Sequence, residues 1–164
     1  MSLTTLTEVR TPSQPESNNF IQPVSPATDW VVVRPAATVN AADNSGSSIT
    51  NPNTRVTTSK KLLVGGHGTG IRVRLNYKSG TQSTNVVIQV FGFDDNGVPE
   101  RLLDTTATHE LELAEASSDI DDDTNSYTEA KEIDCKGNRW VCIGVKTAMV
   151  GTNAATSTIE ARLI

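Results

Sequence analysis

The sequence predicts an all-β protein: an antiparallel β-sandwich, jelly-roll-like, with an extended N-terminal arm. Several short runs have strand-like hydrophobic patterns, and turn signals recur roughly every 8 to 14 residues. Apolar residues make up 36% of the chain and aromatic residues 4%, and Ser, Thr and Asn are abundant. Because these polar residues favour turns and β-branched residues favour strands, a helix bundle is disfavoured.

About eight strands follow from this pattern. The clearest is segment 70–78, GIRVRLNYK, which puts apolar residues on one face and Arg72, Arg74 and Asn76 on the other. Segment 85–93, NVVIQVFGF, is apolar on both faces and predicts a central strand, and DDNG after it predicts a turn. Segment 110–116 fits either a strand or a short helix. Helices and strands do not alternate along the chain, so a parallel α/β sheet is disfavoured. An immunoglobulin-like topology is the rival to the jelly roll, but its usual Cys–Trp–Cys spacing is missing.

The first 27 residues form a separate region, and residues 28–164 form the predicted β-sandwich domain. Four prolines among Ser, Thr, Gln and Asn exclude a central strand or a long helix from residues 1–27. A disordered tail and an arm that orders against a partner both remain open, and the scattered apolar residues favour the arm. The predicted interface residues are Leu3, Leu6, Phe20 and Ile21.

The formal net charge of −5 argues against general binding to nucleic acid or to an anionic membrane. No apolar stretch approaches the roughly 20 residues of a membrane helix, and the first residues do not resemble a secretory signal. Synthesis in a cytoplasm is therefore expected.

In keeping with a reducing compartment, Cys135 and Cys142 are predicted to be buried free thiols. A hairpin turn at 136–139 would make them diagonal neighbours, too far apart for an easy disulfide.

The glycine-rich segment GGHGTG at 65–70 invites comparison with phosphate-binding loops. Ile71 follows Gly70 where a phosphate loop needs Lys, and the fingerprint of a dinucleotide fold would require a glycine in place of His67. A glycine-rich hinge between two strands is therefore predicted. No cofactor is expected.

An acidic segment, DDDTNSYTEAKE at 121–132, has the ligand spacing of a calcium loop. Asp121, Asp123, Asn125 and Glu132 occupy positions 1, 3, 5 and 12. Position 6 is Ser126 instead of glycine, and strands rather than helices are expected on either side, so an EF-hand is excluded. A looser calcium site and a solvated acidic loop remain the alternatives.

The sequence offers little support for catalysis. His67 and His109 are the only histidines, and neither belongs to a zinc motif. There is no nucleophile elbow, and neither cysteine lies in the context of a nucleophile. A pair of carboxylates in a glycosidase-like site stays possible, but the chain carries few aromatic platforms for sugars. The prediction is a protein without enzymatic activity.

The chain resembles a small structural protein of a tailed-bacteriophage virion, of the capsid cement or decoration kind. The residues that carry this resemblance are the arm TPSQPESNNFIQPVSPATDW before a Thr- and Asn-rich β-domain, and the closing strands NRWVCIGVKTAMVGTNAATSTIEARLI. The resemblance implies a homotrimer that binds the major capsid protein on the outer surface of the shell. The alternative is a carbohydrate- or receptor-binding β-sandwich of a tail or fibre, which would need exposed aromatic residues on one sheet face or in a loop cluster.

Overall fold

A computed structural model describes residues 20–21, 30–64, 70–78, 86–102, 110–113, 125–151 and 154–164, with backbone only for residues 20, 21, 125 and 126. Eleven strands lie within these ranges: β1 (Phe20–Ile21), β2 (Val31–Arg34), β3 (Lys61–Leu63), β4 (Gly70–Lys78), β5 (Val87–Phe93), β6 (Pro99–Leu102), β7 (Leu111–Glu112), β8 (Asn125–Tyr127), β9 (Lys131–Asp134), β10 (Trp140–Thr147) and β11 (Thr158–Leu163). The same ranges contain one short helix, α1 (Pro52–Arg55), and a 3₁₀ helix at Ala154–Thr156.

The strands form two sheets, which confirms the predicted β-sandwich. The first sheet has the order β1-β3-β10-β5-β6, and β7 also pairs with β5. The second has the order β2-β11-β4-β8, and β9 also pairs with β4. Every pairing is antiparallel except that of β1 with β3.

The pairing is nested, and this is the topology of a jelly roll. Strand β2 pairs with β11, β3 with β10, β4 with β8 and β9, and β5 with β6. Successive pairs fall alternately in the second and the first sheet. A long antiparallel ribbon that wraps around a core in this way lets two sheets share one apolar interior.

The main core lies between the two sheets. On β4, Ile71, Val73 and Leu75 are fully buried, while the residues between them point away from the core, as the alternation predicted. On β5 and β10, Val90 and Ile143 belong to the same buried cluster. Period-two alternation therefore determines which side of each strand faces the opposite sheet.

A second, smaller core covers the outer side of the first sheet. We call this side the covered face; its outward side chains on β5 and β10 include Phe91, Phe93, Trp140 and Cys142. Residues 39–56, the covering segment, supply Ile49 and Val56 to this cluster. The backbone N–H of Ile49 donates to Gln89 Oε1 at 2.7 Å, and its carbonyl accepts from Arg101 at 3.0 Å.

A buried ion pair anchors the beginning of the covering segment. Arg34 Nη1 lies 2.6 Å from Asp43 Oδ2, with side-chain exposures of 1% and 6%. The same carboxylate oxygen accepts the backbone N–H of Val145 at 2.7 Å, and Arg34 also donates to the carbonyl of Thr38 at 2.8 Å. These extra hydrogen bonds offset part of the cost of removing both charges from water.

The predicted hairpin around residues 136–139 is wrong. A tight turn does form there, with positive φ at Lys136 and Gly137 and a 2.9 Å bond from the N–H of Asn138 to the carbonyl of Cys135. However, β9 before the turn pairs with β4, whereas β10 after it pairs with β3 and β5. The turn carries the chain from one sheet to the other, which local turn signals do not distinguish from a hairpin.

The DDNG turn is confirmed, since Asp94 Oδ1 accepts the N–H groups of Asn96 and Val98 between β5 and β6. Strand β3, before the glycine-rich segment, covers only Lys61–Leu63. Residues 65–69 lie outside the described ranges, but β4 follows them directly, where a dinucleotide fingerprint would require a helix. The two short helices within the described ranges do not have the length or the hydropathy of a membrane span.

Candidate functional site

The outer side of the second sheet differs from the covered face. We call it the charged face; its outward residues on β4 and β11 are Arg72, Arg74, Asn76, Glu160 and Arg162. They are brought together by the register of the two strands, in which Arg74 lies opposite Glu160 and Arg72 opposite Arg162. Cross-strand neighbours on one face are close enough to interact, so the alternation of two strands assembles the cluster.

An aromatic–cation stack is the main feature of this face. The guanidinium carbon of Arg74 lies 3.9 Å from the centroid of the Trp30 ring and 3.9 Å from that of Tyr127. The guanidinium of Arg162 lies 5.1 Å from the Trp30 ring. An arginine cation is attracted to the negative face of an aromatic ring, so the stack connects the segment before β2 with β4 and β8.

Glu160 fixes the position of the stacked arginine. Its Oε2 atom accepts from Arg74 Nε at 2.8 Å, and Oε1 accepts from Asn76 Nδ2 at 3.1 Å. The Arg74 and Glu160 side chains are only 20% and 11% exposed, so water screens the pair less than it would a surface pair. Because Glu160 binds Arg74, the guanidinium that contacts the two rings has a fixed position.

A pocket of about 390 Å³ opens beside Tyr127. Its lining consists of aromatic, acidic and other polar residues around one buried apolar residue: Tyr77, Glu112, Leu113, Tyr127, Thr128, Glu129 and Lys131. Tyr127 is thus shared by the pocket and the stack. The pocket lies where the β8 and β9 edge of the second sheet comes close to β7 of the first.

The polar groups of the pocket are partly paired with each other. Lys131 Nζ lies 2.9 Å from Glu129 Oε2, and this ammonium lowers the pKa of the Glu129 carboxyl by hydrogen bonding and charge. Thr128 is tied to β4, because its Oγ1 accepts the N–H of Leu75 at 2.9 Å and its own N–H donates to the Leu75 carbonyl at 3.0 Å. The lining therefore combines two tyrosines with two carboxylates and an ammonium.

The four calcium candidates are only partly described. Asp121 and Asp123 lie outside the described ranges, and Asn125 is in β8, where its backbone pairs with Lys78. Glu132 is in β9, and its carboxylate accepts from Arg72 Nε at 2.7 Å. Within the described ranges, no group of three or more His, Cys, Asp or Glu residues is arranged to hold a metal ion.

The arm residues are also mostly outside the described ranges. Nothing is described of Leu3 and Leu6, and Phe20 and Ile21 are described by backbone alone, as β1 beside β3. Both histidines, His67 and His109, fall outside as well.

Both cysteines are buried free thiols, as predicted. Burial raises the pKa of each to about 12, with Asp134 adding to the effect at Cys135. They belong to different clusters: Cys135 lies in the core between the sheets and Cys142 under the covering segment. A thiol with so high a pKa is a poor nucleophile.

Sequence reasoning did not find the stack or the pocket. The alternation of β4 does predict that Arg74 points outward, but no local pattern indicates that Trp30 and Tyr127 flank it. The three residues come from distant parts of the chain, and only the order of strands in the sheet brings them together. Comparisons with protein-family models, curated proteins and solved structures found no significant match for this chain.

Proposed function

We propose that this protein is a non-enzymatic structural protein of a tailed-bacteriophage virion. In this role it is a capsid cement or decoration protein, made in the host cytoplasm, that binds the outer surface of the shell. Its β-domain and its N-terminal arm both contact the major capsid protein or neighbouring copies, and the working unit is a trimer. The shell gains stability because each bound copy adds contacts that cross between capsid subunits.

The fold is compatible with this role. Jelly-roll sandwiches are used by viral capsid and lectin domains, in which a rigid double sheet carries loops and edges for contacts. The covered face and the main core give the domain rigidity, and the charged face presents polar side chains, among them Arg72 and Arg162, that are at least partly exposed. A structural protein needs such a scaffold and no catalytic centre.

The observation that carries the proposal is the position of β1. Phe20 and Ile21 pair in parallel with Lys61 and Leu62, so that arm residues extend the edge of the first sheet at β3. Backbone pairing at a sheet edge works equally well within a chain and between chains. An arm that can add a strand in this way is suited to reach the same edge of a neighbouring copy on a lattice.

Two truncations test the role of the arm. One removes residues 1–27, and its matched control removes residues 1–19 and keeps Phe20 and Ile21. Solution mass is measured by light scattering, and binding is measured by co-sedimentation with expanded capsids that lack the protein. The capsids come from the phage whose purified virions contain this chain by mass spectrometry.

We expect the full chain to bind and to raise the melting temperature of the shell. The shorter truncation should retain more of this effect than the longer one, because it keeps the strand that pairs with β3. Unchanged binding after removal of residues 1–27 would contradict the role given to the arm. Failure to find the chain in any virion preparation would contradict the proposal as a whole.

A further inference from the structure

We propose that the pocket beside Tyr127 binds a neutral saccharide unit, with Tyr77 and Tyr127 as ring contacts and Glu112, Glu129 and Lys131 as hydrogen-bonding partners. This inference goes beyond the decoration role and does not depend on it. The pocket is then the site at which the protein contacts a glycan, such as one on a cell surface.

The size and shape of the pocket suit a small polar ligand. Its volume of about 390 Å³ falls within the range of small-molecule sites. Leu113, only 3% exposed, provides an apolar floor, and charged residues surround the rim. A sugar ring matches such a lining, because its C–H faces are apolar and its edges carry hydroxyl groups.

Tyr127 is an exposed aromatic ring that is held in place before any ligand arrives. Its residue is 47% exposed, although a tyrosine ring gains most by being buried. Arg74 fixes the ring from one side at 3.9 Å and is itself held by Trp30 and Glu160. A ligand that stacks on a ring of fixed orientation loses less entropy to ordering the site.

The charges of the pocket favour a neutral ligand over an ion. Two carboxylates would repel an anionic ligand, and the ammonium of Lys131 offsets part of the attraction that they would exert on a cation. Carboxylate oxygens accept hydrogen bonds and an ammonium donates them, whereas each hydroxyl can do both. A polyhydroxyl ligand can therefore donate to the carboxylates and accept from the ammonium.

One carboxyl group of the pocket, that of Glu129, is unsuited to act as the acid in glycoside cleavage. Glycoside hydrolysis requires one carboxyl group that stays protonated to serve as the acid. Lys131 lowers the pKa of Glu129, so this carboxyl stays ionised.

The test uses the full chain and a panel of methyl glycosides of glucose, galactose, mannose and N-acetylglucosamine. Saturation-transfer NMR detects binding, and titration gives the Kd. Choline chloride and N-acetylneuraminic acid serve as cationic and anionic probes. The variants are Tyr127→Ala and Glu129→Gln, and the matched control is Glu132→Gln, an exposed carboxylate of β9 that pairs with Arg72 outside the pocket.

We expect at least one neutral glycoside to bind, with Kd weakened about tenfold or more by Tyr127→Ala, severalfold by Glu129→Gln and not at all by Glu132→Gln. If Tyr127→Ala does not fold, the comparison of Glu129→Gln with Glu132→Gln decides. Binding of choline or of the sialic acid alone, binding of no probe, binding unaffected by the pocket variants, or release of methanol from a glycoside would each overturn the proposal.

Discussion

The two outer sides of this sandwich have opposite environments. On the covered face, Phe91 and Trp140 are almost fully buried under Ile49 and Val56 of the covering segment. On the charged face, Arg72 and Arg162 remain at least partly exposed, and no comparable apolar cluster lies above them among the described residues. Within the described ranges, the first sheet thus packs against apolar residues on both sides and the second sheet on one.

The sequences of the central strands differ in the same way as the covered face and the charged face. In β5 and β10 both alternating sets of residues are largely apolar, whereas in β4 one set is apolar and the other is charged or polar. A strand whose second face is also apolar requires a cover, because exposed Phe and Trp side chains would lose the free energy of burial. The covering segment meets this requirement without forming a strand of its own.

The largest effect is expected at the anchor of the covering segment. Asp43→Ala removes the carboxylate that pairs with Arg34 and accepts the N–H of Val145. It leaves a guanidinium at 1% exposure without its counter-charge, so the free energy of unfolding should fall by about 3–5 kcal/mol. Urea denaturation measures this change. Asp95→Ala, which removes a carboxylate that is 75% exposed, is the control and should cost under about 1 kcal/mol.

The contact between the covering segment and β10 provides the next test. A Cβ atom added at Gly144 would overlap Ile49 Cδ1 and lie 3.1 Å from Val56 Cγ2. Gly144→Ala should therefore cost about 1–3 kcal/mol of stability, as overpacked cores do. Ile49→Val removes the overlapping methyl, so the double variant should lose less than the sum of the two single variants. Strict additivity in urea denaturation would show that the covering segment is not packed on this face as described.

The burial of the two thiols makes the stability of the protein depend on pH. Burial raises the pKa of Cys142 from its ordinary value near 9 to about 12, so its neutral form is favoured in the folded state. The stabilisation that follows from this raised pKa is complete below the pKa that the thiol has in the unfolded chain. It is lost as the pH rises from about 9 towards 12, by up to about 1.4 kcal/mol per pH unit.

Comparison with Cys142→Ala isolates the contribution of this thiol. The stability of the parent protein should fall more steeply above pH 9 than that of the variant, as measured by urea denaturation at several pH values. Parallel pH profiles would indicate that the Cys142 thiol is accessible to water. The same comparison with Cys135→Ala tests the core between the sheets, where the pKa is also raised to about 12.

The smallest effect is expected on the charged face. Arg74→Ala removes the cation between Trp30 and Tyr127 and one partner of Glu160, and it should cost about 1 kcal/mol. Arg72→Ala removes a more exposed pair with Glu132 and should cost under about 0.5 kcal/mol. A double-mutant cycle between Trp30 and Arg74 measures the stacking alone, and a coupling energy near zero would show that the stack does not contribute to stability.

Several features were predictable from short sequence segments. The alternation in 70–78 specified which side of β4 faces the core, and the apolar run in 85–93 predicted a central strand. The burial of both cysteines was also predicted correctly. The partition of 1–27 and 28–164, the role of the arm and the calcium loop stay predictions.

Other features depended on distant partners. The turn at Lys136 and Gly137 has the residues of a hairpin, yet it joins strands of different sheets. Whether the strands on either side of this turn pair with each other or with β4 and β5 depends on residues far from the turn. A window of ten residues around the turn does not include them.

The amino-acid sequence by itself determined that the protein is all-β, where its main strands lie and which side of β4 is apolar, because the period of two is a local property of an extended chain. Only the tertiary structure decided the nested strand order, the covering of one outer face, and the meeting of Trp30, Arg74 and Tyr127 beside a pocket. These features depend on which strands become neighbours, and that outcome reflects the packing of the whole core.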